Sequence, residues 1–442
     1  MSDTPAAAAS TNRAPLPEGT LPVGAGLLIA GLSSFAFFKL GQVALGKELF
    51  KPIMALWFVA FTLVPGFFIP VEQELGRALA HRRALGQGGR QVVTRVLTLA
   101  VGLGGALLVA VLAASAWLTE HMFEGYAIVT FALVLTIVAY AVAHVGRGIA
   151  SGSARFAAYG LILGADSAIR IAACLVLWLA GVDTVGPYAL TVALSPLAAV
   201  LIVAARRELV THDGPPVELR DITPNLGWLL VGSMMSAALV NAGPLGVDVL
   251  ASSSEAARVT AFGNGVILAR IPLFMFQAIQ ASLLPRLAKL AAEGDMEEFR
   301  AGFRRLMVVV ATVAVVGTLG AFAVGPQVLD VMYEGGLDRR TLGLLAMSSG
   351  LFMLAQAVAQ AVIALHGHKF VALSWLTGAT LFVVVTAFVS DDLYLRVELG
   401  LVVSCAATFV AFLASLRARI NAGAVPDAES LLDGVFDNPV EG

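Results

Sequence analysis

The sequence predicts an all-α polytopic membrane protein, with about twelve transmembrane helices in two parallel six-helix lobes around a central cavity. Three observations carry this. The 442 residues are 58% apolar and only 13% charged, too little polar surface for a soluble domain of that length. Apolar runs long enough to cross a bilayer recur through almost the whole chain. They are continuous rather than alternating, which favours helices over a β-barrel. Short segments of the first half also return in the second at nearly one offset.

The spans fall at about 23–45, 52–75, 96–118, 127–145, 156–182 and 188–205, then 228–250, 259–284, 306–324, 342–365, 370–389 and 399–416. The first is interrupted by Lys39 and the sixth is short. Residues 1–22 form an Ala/Ser/Thr/Pro-rich tail expected to be disordered. The first apolar run, about 23 residues, is long enough to span and stay rather than be cleaved as a signal peptide. Residues 206–227 contain "HDGPPVELRDITP" and read as a linker between an N-lobe (23–205) and a C-lobe (228–417). Residues 418–442 carry five acidic residues after Asn421 and no base, the composition of a solvated, disordered tail.

Orientation follows from the loop charges. With the N-terminus inside, the inner segments hold 19 Lys and Arg and the outer loops six: Lys47, Lys51, Arg258, Arg339, Arg340 and Arg396. Both termini are therefore expected in the cytoplasm. The excess of Arg over Lys, 23 to 5, suggests a GC-rich bacterial genome and hence a bacterial cytoplasmic membrane. The inner basic groups Arg77, Arg82, Arg83 and Arg300, Arg304, Arg305 are expected to set topology and meet anionic head groups.

The internal match has three parts. "LTEHMFEG" (118–125) and "VLDVMYEG" (328–335) share Met-aromatic-Glu-Gly at an offset of 210. "AVAHVGRGIASGSARFAA" (from 141) and "AVAQAVIALHGHKFVA" (from 357) start 216 apart, which pairs His144 with Gln360. "ELGRALAHRRALG" and "LLPRLAKLAAEG" place Arg77 and Arg286 209 apart. Six spans per half is an even number, so the halves point the same way. This predicts parallel repeats about an axis along the membrane normal, with a cavity between lobes.

Several classes are excluded. A net charge of −2 supplies no field for nucleic acid. Cys174 and Cys405 fall inside apolar runs and read as small core residues. No metal-ligand spacing, nucleophile motif or phosphate loop appears, so neither a metal, a cofactor nor an enzyme activity is expected. The outer acidic pair of "SDD" (390–392) sits on a loop too short for a membrane glycan ligase.

Two stretches carry a family resemblance: "VPGFFIPVEQELGRALA" (64–80) and "IPLFMFQAIQASLLPRLAKLAAEGDMEEF" (271–299). The second has Pro-Leu early in the eighth span, Leu-Pro-Arg-Leu at its end, and Gly-Asp before an amphipathic helix. Over about 23–417 the chain resembles the polysaccharide and lipid-linked oligosaccharide flippases of the MOP exporter superfamily. That group includes O-antigen flippases, the lipid II flippase and the MATE exporters. The resemblance implies alternating access: a lipid-linked glycan precursor crosses by its head group while its tail stays in the bilayer. It also implies membrane lipids, a coupling ion (H⁺ or Na⁺) and glycan-assembly enzymes as partners. The first two spans lack the arginine cluster of the lipid II flippase. The alternative is a MATE-like multidrug or cation antiporter, which wants carboxylates in the first or seventh span. Asp248 is the candidate. A transport-dead scaffold is a further reading.

The intramembrane polar residues are the candidate substrate-binding groups. Arg270 lies about 18 Å deep at 1.5 Å per residue, where a charge costs at least about 2.5 kcal/mol on insertion scales. It either binds phosphate in the cavity or pairs with a buried carboxylate. Asp166 and Arg170 stand at i, i+4 and form either an internal ion pair or a proton site. Lys39 either snorkels or faces the cavity. Gln277 with Gln280, and Gln356 with Gln360 and His144, either hydrogen-bond sugar hydroxyls or bridge helices. Asn241, Gly243, Pro244 and Asp248 mark a kink in the seventh span. "GNG" (263–265) either loosens the eighth span or packs it closely. Glu72 and Glu74 read as interfacial.

Overall fold

A computed structural model describes residues 20–218, 226–274, 276, 290 and 294–421. Of the expected disordered tails, 1–22 and 418–442, residues 20–22 and 418–421 are instead helical, continuing the first and last helices, and the rest lie outside the described residues. Among the described residues, eleven helices of more than ten residues follow in order: α1 (Thr20–Ala84), α2 (Arg90–Ala113), α3 (Ala127–Gly152), α4 (Phe156–Leu179), α5 (Val185–Ala205), α6 (Leu226–Leu250), α7 (Ala256–Ala269), α8 (Met296–Tyr333), α9 (Arg339–Ala364), α10 (His368–Phe388) and α11 (Leu393–Asn421). No strand occurs among the described residues. Ten of the helices are long and apolar enough to cross a membrane.

α1 is two spans joined at Gly46, whose φ of 78° suits a residue without Cβ. Its arms are 20–45 and 47–84. Together the ten long helices supply eleven of the twelve expected spans, and α7 opens the twelfth. That span, the eighth, contains Gln277 and Gln280, which lie outside the described residues, as do Pro285 and Arg286 after it. The second arm starts directly after Gly46, so Lys47 and Lys51, expected in an outer loop, are helical instead. The described helix before the ninth span begins at Met296, where the Asp295 side chain accepts the Glu298 N–H at 3.0 Å, an N-cap.

The chain is a multi-pass membrane protein of two helical lobes. In the first, α1 packs against α3 and α4, α5 closes on both, and α2 leans on α1 and α3. The second is built from α6 to α11. Outward faces are apolar: Val101, Val109 and Leu112 on α2, and Val315, Val316, Leu319 and Phe322 on α8, are exposed. Such faces suit lipid, where backbone groups must be satisfied within the helix. Small residues let helices approach inside a lobe: a Cβ on Gly160 would lie 2.2 Å from the Pro22 carbonyl oxygen.

The repeat is visible in the backbone. Glu124 and Glu334 both take left-handed φ, 52° and 61°, each followed by a positive-φ glycine. Ala154 and His366 also take left-handed φ, 57° and 58°. In their turns, the N–H of Arg155 bonds Ala150 O and that of Gly367 bonds Val362 O. These turns are 212 positions apart, not 216. His144 is thus matched to Gln356 and not to Gln360, because the sequence match had slipped by one helical turn.

The lobes meet along α1, α6 and α7. At Gly66 the second arm of α1 approaches α6 so closely that a Cβ would lie 3.1 Å from Met234 Cα. The start of the linker is strapped to the first lobe. Arg155 Nη1 donates to Glu208 O (2.6 Å) and Val210 O (3.0 Å), Arg82 Nη2 to Pro216 O (3.2 Å), and the Arg90 N–H to His212 O (3.0 Å).

Candidate functional site

Two prolines prepare the seam. Pro65 in α1 has no N–H for the carbonyl of Phe61, and Pro244 in α6 has none for the carbonyl of Val240. Both orphaned acceptors are taken by side chains. Asn241 Nδ2 donates to Phe61 O across the seam (3.0 Å) and to Ala237 O (3.1 Å). Arg270 donates from Nη2 to Val240 O and from Nη1 to Asn241 Oδ1 (3.0 Å). Arg270 itself sits where α7 breaks. Pro272 follows two residues later and disfavours helix at the residue before it. "GNG" is regular helix, so the break falls seven residues from its first glycine.

Arg270 is 8% exposed and has no carboxylate partner among the described residues. Its guanidinium lies 5.5 Å from the centroid of Phe58, a favourable cation–π placement. The neighbouring Trp57 faces the other way and covers Arg170 at 5.0 Å. One pair of consecutive aromatic residues on α1 therefore separates two buried arginines, one per lobe.

On the first-lobe side, Arg170 Nη2 donates to Asp166 Oδ1 (2.5 Å) and to the Tyr140 hydroxyl oxygen (2.9 Å), and that hydroxyl donates to Asp166 Oδ2 (2.9 Å). The charges are matched within one helix, and Arg170 Nε is left without a partner. Breaking such a buried pair from one side costs about 3–5 kcal/mol.

Glu72 is not interfacial. It is buried and accepts three bonds, from His144 Nδ1 (2.8 Å), Arg147 Nε (3.0 Å) and Tyr159 OH (2.7 Å). The proton on Nδ1 follows from the carboxylate facing it. α1, α3 and α4 are tied through this one carboxylate. The correction has a simple cause: hydropathy places Glu72 near a span end, but α1 runs on to Ala84 and buries it.

At the Gly46 end, charged groups close the seam. Lys51 is buried, bonds Glu124 of its own lobe, and lies 3.4 Å from Asp248 Oδ1 of the other. Asp248 is buried, and neither of its oxygens receives a hydrogen bond from a described residue. A cavity of about 10 Å³ lies beside it, lined by Met54, Phe58, Leu245 and Val259 among others. Lys47 Nζ stands 3.8 Å from Glu334, so the two repeat-related glutamates reach two lysines of one arm. Gln42 and Asn264 exchange reciprocal amide bonds of 2.7 and 3.0 Å across the seam. Lys51, Glu124 and Asn264 did not stand out as candidates in the sequence. The shared Met-aromatic-Glu-Gly was the available signal for Glu124.

The sequence candidates thus divide. Arg270 and Asn241 meet at the seam. Asp166 with Arg170, and His144 with Glu72, lie within the first lobe. Lys39 is half-buried with no hydrogen bond or ion pair to a described residue. Gln356 and Gln360 are half-buried on α9, and Gln356 Oε1 has no partner.

No family model and no curated protein matches the chain. Solved structures do. A MATE in complex with MaD3S superposes with a TM-score of 0.70 at 15% identity, over 92% of this chain and 95% of that one. An outward-facing multidrug resistance MATE family transporter of the MOP superfamily gives 0.67 at 14% over 92% and 95%. The Vibrio cholerae MATE transporter VcmN in its bent form gives 0.64 at 14% over 91% and 97%. At such identities the likeness is one of architecture: the chain adopts the fold of the MATE transporters of the MOP superfamily.

Proposed function

We propose that this protein is an alternating-access membrane transporter and not an enzyme, and that it exports cationic substrates as a MATE-like antiporter. The observation that carries the reading is the fold shared over 92% of the chain with multidrug resistance MATE family transporters, one structure inward-facing and another outward-facing. Two lobes that meet chiefly through α1, α6 and α7 suit rocking about that seam. Asp248 supports the cationic choice. It is a buried carboxylate in the seventh span, shared unequally with a lysine that is bonded to Glu124. When the lobes part, Lys51 stays with Glu124, and Asp248 faces an apolar cleft that an organic cation or a proton would neutralise. Arg270, which recommended a glycan diphosphate, is buried and gives one N–H from each Nη to a protein group, Asn241 Oδ1 and Val240 O. A bacterial cytoplasmic membrane, with both termini inside, fits the loop charges.

The test is reconstitution in proteoliposomes. Uptake of ethidium driven by a proton or sodium gradient supports the reading. Translocation of a lipid-linked oligosaccharide without ethidium movement replaces it with the flippase reading.

A further inference from the structure

A half-open cavity of about 20 Å³ is lined entirely by residues of the second lobe, from α6, α7, α9 and α11 with Arg270. Its polar lining is Arg270, Ser348, Ser349 and Cys405. These are a guanidinium, two hydroxyls and a thiol, all able to donate, and no carboxylate lines it. One water needs roughly 10–15 Å³ by the same measure. The space therefore suits one water or one monatomic anion and does not enclose a phosphate.

Charge decides between those occupants. Arg270 is buried at mid-span with no counter-ion among the described residues. Its partners, Asn241 Oδ1 and Val240 O, are dipoles and leave the net charge in place. Buried charges in proteins are paired or neutralised. Ser348 donates only to the Leu345 carbonyl of its own helix (2.8 Å), a bond it can exchange by rotating its hydroxyl. Ser349 makes no hydrogen bond to a described residue.

We propose that this cavity is a site for one halide ion, chloride in the cell, held by Arg270 with the hydroxyls of Ser348 and Ser349. The ion would neutralise the guanidinium that caps Val240 and orients Asn241, so its occupancy bears on the bond between the lobes. The site is separate from the Asp248 cleft, and its failure leaves the transport reading standing.

Bromide is the probe. The full-length purified protein is melted in sodium bromide against sodium gluconate at constant ionic strength, and bromide-soaked crystals are measured at the bromine edge. A saturable, bromide-specific rise in Tm of several degrees, with an anomalous peak against Arg270, is expected. Arg270→Gln should abolish the rise. Should that variant fail to fold, Ser349→Leu decides, since it fills the cavity without changing charge and should also abolish it. No bromide-specific rise, a peak elsewhere, or a full rise in Ser349→Leu overturns the proposal.

Discussion

Asn241 caps the carbonyl of Phe61 across the lobe seam at 3.0 Å, and that carbonyl is free because Pro65 cannot bond it. The same amide accepts from Arg270. Asn241→Ala therefore strands two buried polar groups, at about 1–3 kcal/mol each, and should lower the Tm of the purified protein. Pro65→Ala returns an N–H to Phe61, so the asparagine deletion should cost less in that background. An equal cost in both backgrounds would remove the proline-cap explanation.

Asp248→Asn should reduce gradient-driven ethidium transport by on the order of tenfold or more, the scale of losing one partner of a buried charge pair. Folding should be spared, because Lys51 keeps Glu124. Unchanged transport rates in the asparagine variant would show that the carboxylate is structural.

Glu72→Ala leaves Arg147 buried without its carboxylate. A loss of about 3–5 kcal/mol is expected, seen as poor recovery of monodisperse protein. Removing both charges in Glu72→Ala/Arg147→Ala should recover part of it. If the double variant is worse than the single, the ion pair is not the source of the loss.

Much of the fold was legible because lipid imposes a simple rule: long apolar runs become helices. The two-lobe division showed in the repeat, and the left-handed Glu124 and Glu334 give it a backbone basis. The site was harder to read. Lys51 reads as a loop residue because hydropathy places span ends at apolar boundaries, whereas the second arm of α1 is already helical from residue 47. Glu72 looked interfacial for the same reason at the other end. The partners of Arg270 were hidden because a carbonyl orphaned by a proline four residues on carries no side-chain signature. The pairing of His144 slipped by one turn because residues four apart on a helix present the same face.

The rocking of the lobes is tested most directly by locking them. A Cβ on Gly66 would lie 3.1 Å from Met234 Cα, close enough for a disulfide between cysteines at these positions with little backbone movement. Transport by Gly66→Cys/Met234→Cys is measured after oxidation and again after reduction. Loss on oxidation with recovery on reduction is the expected result. Full transport with the disulfide formed would contradict alternating access at this seam.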